Sequence, residues 1–150
     1  MNPFSIIALL LTLTLLGLLV KNNRTPTNLG MTNGSFARLP KTPNGISSQT
    51  SDLRKKIDPF PFNQNLTESK NSLKIIIAAF EGMNILTEGK NYIHVISTSK
   101  TMRFHDDIEF FFDERSRVVH FRSASRIGYS DMNVNRKRYE RLRKEYMKQL

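Results

Sequence analysis

The chain has 150 residues, enough for one domain with a modest core, and carries 23 Lys and Arg against 13 Asp and Glu, a net charge of +10. It contains no Cys, which excludes disulfides, thiolate nucleophiles and cysteine-based zinc sites. Trp is also absent, and Phe, at ten, is a frequent large apolar residue.

The first element is Pro3 to Val20, PFSIIALLLTLTLLGLLV, uncharged throughout, with Lys21 and Arg24 just beyond it. At ~1.5 Å per residue it extends about 25 Å, within reach of a thin bilayer whose hydrocarbon core is ~30 Å. It reads as a single-pass membrane anchor over residues 1–21. A cleaved signal peptide fits less well, because no Lys or Arg precedes the apolar run and no small-x-small site follows it. The basic residues lie after the span, and by charge alone that puts the domain in the cytoplasm. Residues 22–40 are rich in Asn, Thr, Gly and Pro and read as a flexible tether. Residues 41–150 then form the globular domain.

Ile57-Asp-Pro-Phe-Pro-Phe62 is too proline-rich for a central strand and reads as an edge or loop laying Phe60 and Phe62 on the core. A helix is predicted over Thr67 to Met83, with Leu73, Ile76, Ile77 and Phe80 at i, i+3, i+4 and i+7, Thr67 as cap and Gly82 near its end. Strands follow at Asn84 to Thr87 and Tyr92 to Ser99, with Thr101 to Phe104 continuing the second. Asp107 to Phe112 and Val118 to Ala124 then form an antiparallel hairpin around a short polar loop.

Alternation within that hairpin separates two faces. Ile108, Phe110, Phe112, Val119 and Phe121 take one; Asp107, Glu109, His120, Arg122 and Arg126 take the other. Two registers are compatible with the loop, so the carboxylate facing each guanidinium is left open. The polar group reads either as a solvated ion-pair ladder or as a cluster that holds an anionic or hydroxylated ligand through the planar fork of arginine. After the hairpin, Gly128 turns the chain, and Ser130 or Asp131 caps a helix beginning near Met132 or Asn133 and running to the end. Asn135 and Arg136 lie one turn into it, where a helix N-terminus favours anions. The candidate binding site is therefore Asp107, Glu109, Arg122, Arg126, Ser130, Asp131, Asn135 and Arg136. The fold class is α+β: two layers, an antiparallel meander of about four strands with two helices on one face, preceded by a transmembrane helix.

Asp106-Asp107-Ile108-Glu109-Phe110, Arg122-Ser-Ala-Ser-Arg-Ile-Gly-Tyr-Ser-Asp131 and Asn135-Arg136 resemble the signature of the domain of unknown function 1499 family. Pro43-Asn44-Gly45-Ile46-Ser47-Ser48-Gln49 resembles its opening motif, and Tyr92-Ile93-His94 its central strand. The resemblance covers roughly residues 39–150. It implies a small α+β domain, mostly bacterial, often behind a membrane anchor or export signal and so on the extracytoplasmic (periplasmic) side, with no established activity. The family usually has Cys where this chain has Leu39 and Gly45, so a disulfide or thiol role does not carry over.

Catalytic chemistry has little support. Asp107 and Glu109 share a face, which suits acid–base hydrolysis as a rival reading, but Ser123 and Ser125 have no evident His–Asp relay. His105-Asp106-Asp107 leaves only one dyad on a common face, short of a metal site. No glycine-rich phosphate loop occurs, and no cofactor is expected. From Asn135 onward seven basic residues stand against two acidic ones, which suits anionic lipid beside an anchor. Nucleic acid is not expected, since no recognition motif or aromatic platform accompanies the charge. The sequence thus predicts a membrane-anchored, envelope-associated binding module with a polar site.

Overall fold

The computed structural model describes residues 2–150. Met1, the first residue of the predicted anchor over residues 1–21, lies outside them. Helix α1 runs over Pro3–Asn23, capped by Asn2, and its apolar window is not covered by any other part of the protein. It is long and apolar enough to cross a membrane.

Strands β1 (Met31–Thr32), β2 (Ser35–Phe36), β3 (Gly45–Ser47) and β4 (Phe60–Pro61) precede helix α2 (Leu66–Ala79). The meander β5 (Met83–Glu88), β6 (Tyr92–Thr98), β7 (His105–Asp113) and β8 (Val118–Ser125) follows, and helix α3 (Val134–Met147) ends the fold. The main sheet is antiparallel, in the order β3-β8-β7-β6-β5, and β4 also pairs with β8. Its four-stranded meander is the predicted one. The two additional strands share the outer edge of β8, and at three and two residues they are too short to show an alternation in sequence.

The apolar face is built as alternation requires. Ile93, Val95, Ile108, Phe110, Phe112, Val119 and Phe121 are all fully buried. Over them lie Leu73, Ile76 and Ile77 of α2 and Tyr139, Leu142 and Tyr146 of α3. Phe60, delivered by the proline-flanked edge strand, sits at the centre. Its ring is 5.4–6.0 Å from those of Phe110, Phe121, Tyr139 and Tyr146.

Two boundaries differ from expectation. Helix α2 is capped by Asn65, whose side chain accepts from Glu68 N at 2.9 Å, and it ends at Phe80, before Met83. Gly82, at φ +79°, makes the turn into β5; a Cβ there would lie 2.5 Å from the carbonyl oxygen of Thr98. Thr101 to Phe104 does not extend β6. Arg103 N and Phe104 N both bond back to Ser99, closing a tight β6–β7 turn.

The larger difference concerns the second face of the sheet. Alternation predicts a polar, solvated face, yet it is covered. Asn22 buries its side chain against the start of β7, and Gly30 donates its amide to Glu109 at 2.7 Å. Asn33 and Gly34, at φ 51° and 74°, form a two-residue turn that pairs β1 with β2. Gln49 grips this hairpin from both sides, accepting from Phe36 N and donating to Gly34 O, each at 2.9 Å. Lys55, itself buried, donates its ammonium to the carbonyls of Pro40, Lys41 and Thr42. Residues 22–40, read from composition as a tether, thus lie along the domain as a strap.

Candidate functional site

Register decides the chemistry of the covered face. Glu109 pairs opposite Arg122 and Asp107 opposite Ala124, so Arg126, two residues further on, reaches back to Asp107. Arg126 forks onto that carboxylate, with Nε and Nη2 donating at 2.8 and 2.7 Å, while His94 Nε2 lies 2.9 Å from Oδ1. Glu109 accepts from Arg122 Nη1, from the Tyr92 hydroxyl at 2.8 Å and from the Gly30 amide. Both ion pairs are almost wholly buried, Arg122 and Asp107 at 2% exposure and Glu109 at 0%.

Burial alone would raise the pKa of Asp107. The hydrogen bonds from Arg126 and His94 and the charge of Arg126 outweigh it, and the carboxyl is held below its ordinary value. Burial, and then the Glu109 charge, push the Tyr92 phenol up, so it stays a donor. Burial pushes His105 and His120 down.

Between the strap and this face lies a cavity of about 280 Å³, lined by Lys21, Asn28, Thr42, Asn44, Asp107, Arg122, Ser125 and Arg126 among others. The Arg122 Nε is buried with no partner among the described residues. A buried donor left unpaired costs about 1–3 kcal/mol, so a partner for it is favoured.

The other predicted site residues do not join this cluster. Ser130 accepts from Met132 N in the loop before α3 and does not cap it; Asp131 accepts from Asn133 N and from Asn135 N in the first turn of α3, whose N-cap position is Asn133. Asn135, fully buried, bonds to Asn44 O, Ser123, Ser125, Asp131 and Arg138, and is used up in joining α3 to the sheet. Arg136 donates to the carbonyls of Arg54 and Lys56, and with Asp131 it lines a separate cavity of about 320 Å³. Only Asp107, Glu109, Arg122 and Arg126 of the eight come together.

Four contributors escaped the sequence reading. Tyr92 and His94 share a strand face, with Ile93 and Val95 on the other, so alternation carried their signal. Asn22 and Gly30 act through an amide and the backbone and left none. Ser48, His120 and Asp113 also fall in line: Ser48 Oγ is 3.1 Å from His120 Nδ1, and His120 Nε2 is 4.0 Å from Asp113. Ser48 Oγ nevertheless accepts from Phe121 N and donates to Phe121 O, and the His–Asp gap exceeds a hydrogen bond, so the hydroxyl serves the β8 edge. Among the described residues no three His, Asp or Glu side chains gather as a metal site.

The motifs that carry the family resemblance meet in space. Asn44 of the opening motif donates to Gly128 O of the arginine–serine motif at 2.8 Å, and its carbonyl accepts from Ser125 N. Gly45 fits where a Cβ would lie 3.1 Å from both Leu39 Cδ2 and Ser123 O. The model of a protein family of unknown function, DUF1499, matches residues 35–146. The chain belongs to this family. The family match takes in all four charged residues of the cluster and leaves out α1 and most of the strap. No curated protein and no solved structure matches the chain.

Proposed function

We propose that this family member is a single-pass, membrane-anchored, non-catalytic binding module of the bacterial envelope, and that its ligand is a small oxyanion held beneath the strap. The observation that carries this reading is the cavity lined by Arg122, whose buried Nε has no partner among the described residues. A planar guanidinium suits carboxylate and phosphate oxygens, and Lys21, Thr42, Asn44 and Ser125 supply further polar groups around the same space. The paired state of the carboxylates supports a non-catalytic role. Asp107, with Arg126 and His94, and Glu109, with Arg122, Tyr92 and Gly30, are each held in three hydrogen bonds, which leaves neither positioned to take a proton from water as the rival hydrolase reading requires.

Calorimetric titration of the detergent-solubilised full chain with inorganic phosphate and with succinate tests the site. Binding of one of them by the wild type, lost in Arg122→Lys, is the expected result; the lysine keeps a charge for Glu109 but lacks Nε. Absence of binding to either anion, or equal binding by the variant, sinks the proposal. The extracytoplasmic placement follows the habit of the family. A single cysteine at the exposed Leu53 should react with a membrane-impermeant maleimide in intact spheroplasts, and protection until lysis would put the domain inside.

A further inference from the structure

The end of α1 is fastened to one particular corner of the domain. Asn22 Nδ2 donates to Arg103 O and Asn22 Oδ1 accepts from His105 N, both at 2.9 Å, while Arg126 Nη1 donates to Asn22 O at 3.1 Å. These bonds place the β6–β7 turn beside the last turn of α1. If Pro3 to Val20 crosses the hydrocarbon, Asn22 lies only about 3 Å beyond it, and the turn lies at headgroup depth.

The turn is composed for that depth. Met102 and Phe104 are 63% and 43% exposed, and Lys100 and Arg103 beside them are also exposed. Apolar tips between basic residues are the pattern of a segment seated in a membrane interface. Next to the turn lies a cavity of about 590 Å³ that Arg103 shares with Lys137 and Arg141 of α3. Among the described residues none of these three cations has a carboxylate in salt-bridge reach. Arg138, on the same wall, is spent on Asp106, and Lys100 on Glu81. The basic excess of α3 is thus brought to the corner where the anchor leaves the domain.

We infer that this corner is a second membrane contact: Met102 and Phe104 enter the interface, and Arg103, Lys137 and Arg141 receive the phosphate of an anionic phospholipid. The inference rests on the anchor reading of α1 and is independent of the cavity under the strap. It would hold the domain upright against one leaflet, with the β7–β8 turn, about 30 Å away along the nine residues of β7, directed outward.

The chain has no Trp, so Phe104→Trp creates a single fluorophore in the full-length protein, and Arg115→Trp in the β7–β8 turn creates its control. Each is reconstituted into vesicles whose lipids are brominated in the acyl chains. The expected result is blue-shifted emission and quenching at position 104 but not at 115. Quenching at 104 should deepen when zwitterionic lipid is replaced by phosphatidylglycerol, and Lys137→Gln/Arg141→Gln should abolish that dependence. A chain that floats with vesicles while position 104 remains unquenched overturns this inference and leaves the anchor intact. A chain that does not float overturns both. Quenching at 104 that is indifferent to anionic lipid, or unaffected by the double variant, overturns the phosphate site.

Discussion

On one face of the sheet Phe110 and Phe121 are buried under two helices; on the other Glu109 and Arg122 are buried as completely under a strap of irregular chain. The apolar face needs only area and shape, which helices with apolar stripes supply from anywhere on their surface. The polar face needs a partner for each atom. It obtains them from single points: one asparagine side chain, the amide of Gly30, the fork of Arg126. Non-directional burial tolerates displacement, whereas a buried ion pair is costly as soon as one contact is lost. The two faces should therefore fail in different ways.

Phe60→Ala should show the largest loss, about 4 kcal/mol by chemical denaturation, since it empties the centre of five aromatic rings. Arg122→Ala should cost about 3 kcal/mol or more, because Glu109 is left charged and buried. The double variant Glu109→Leu/Arg122→Met separates the mechanisms by recovering part of that loss. The shortfall would measure the Tyr92 hydroxyl and the Gly30 amide left without their acceptor. A double variant no better than the single would mean that shape rather than charge holds the polar face.

The smallest effect is that of pH. The unfolded chain takes up protons at His105 and His120 near pH ~6.5, where the folded chain resists them, so stability falls as pH drops below that value. Asp107, held below its ordinary value, contributes stability above pH ~4 that is lost as pH falls further. Urea midpoints should accordingly decline in two stages on acidification, and His120→Gln should flatten the first.

How much of this was legible depended on where each contact is encoded. Alternation in β7 and β8 and the 3.6-residue spacing of Leu73, Ile76 and Ile77 made the meander, its two faces and the helices readable. The grouping of Asp107, Glu109, Arg122 and Arg126 followed from the same alternation, although the register needed the structure. The strap did not follow. Asn-Gly at 33–34 is a hairpin signal, but its flanks are too short to show a strand pattern, and most of its anchors are backbone groups with no side-chain identity. Asn135 and Arg136, read as lying one turn into a helix whose N-terminus favours anions, are bonded instead to Asn44 and to the carbonyls of Arg54 and Lys56, contacts that no spacing within α3 encodes.

The contact between Leu39 and Gly45 has one more consequence. It falls at the two positions where the family resemblance implies cysteine, and here the Leu39 side chain packs beside the Gly45 backbone. The chain has no cysteine to join the two segments, so reductant should leave the domain unaltered. Its maturation calls on no thiol oxidase and no disulfide isomerase.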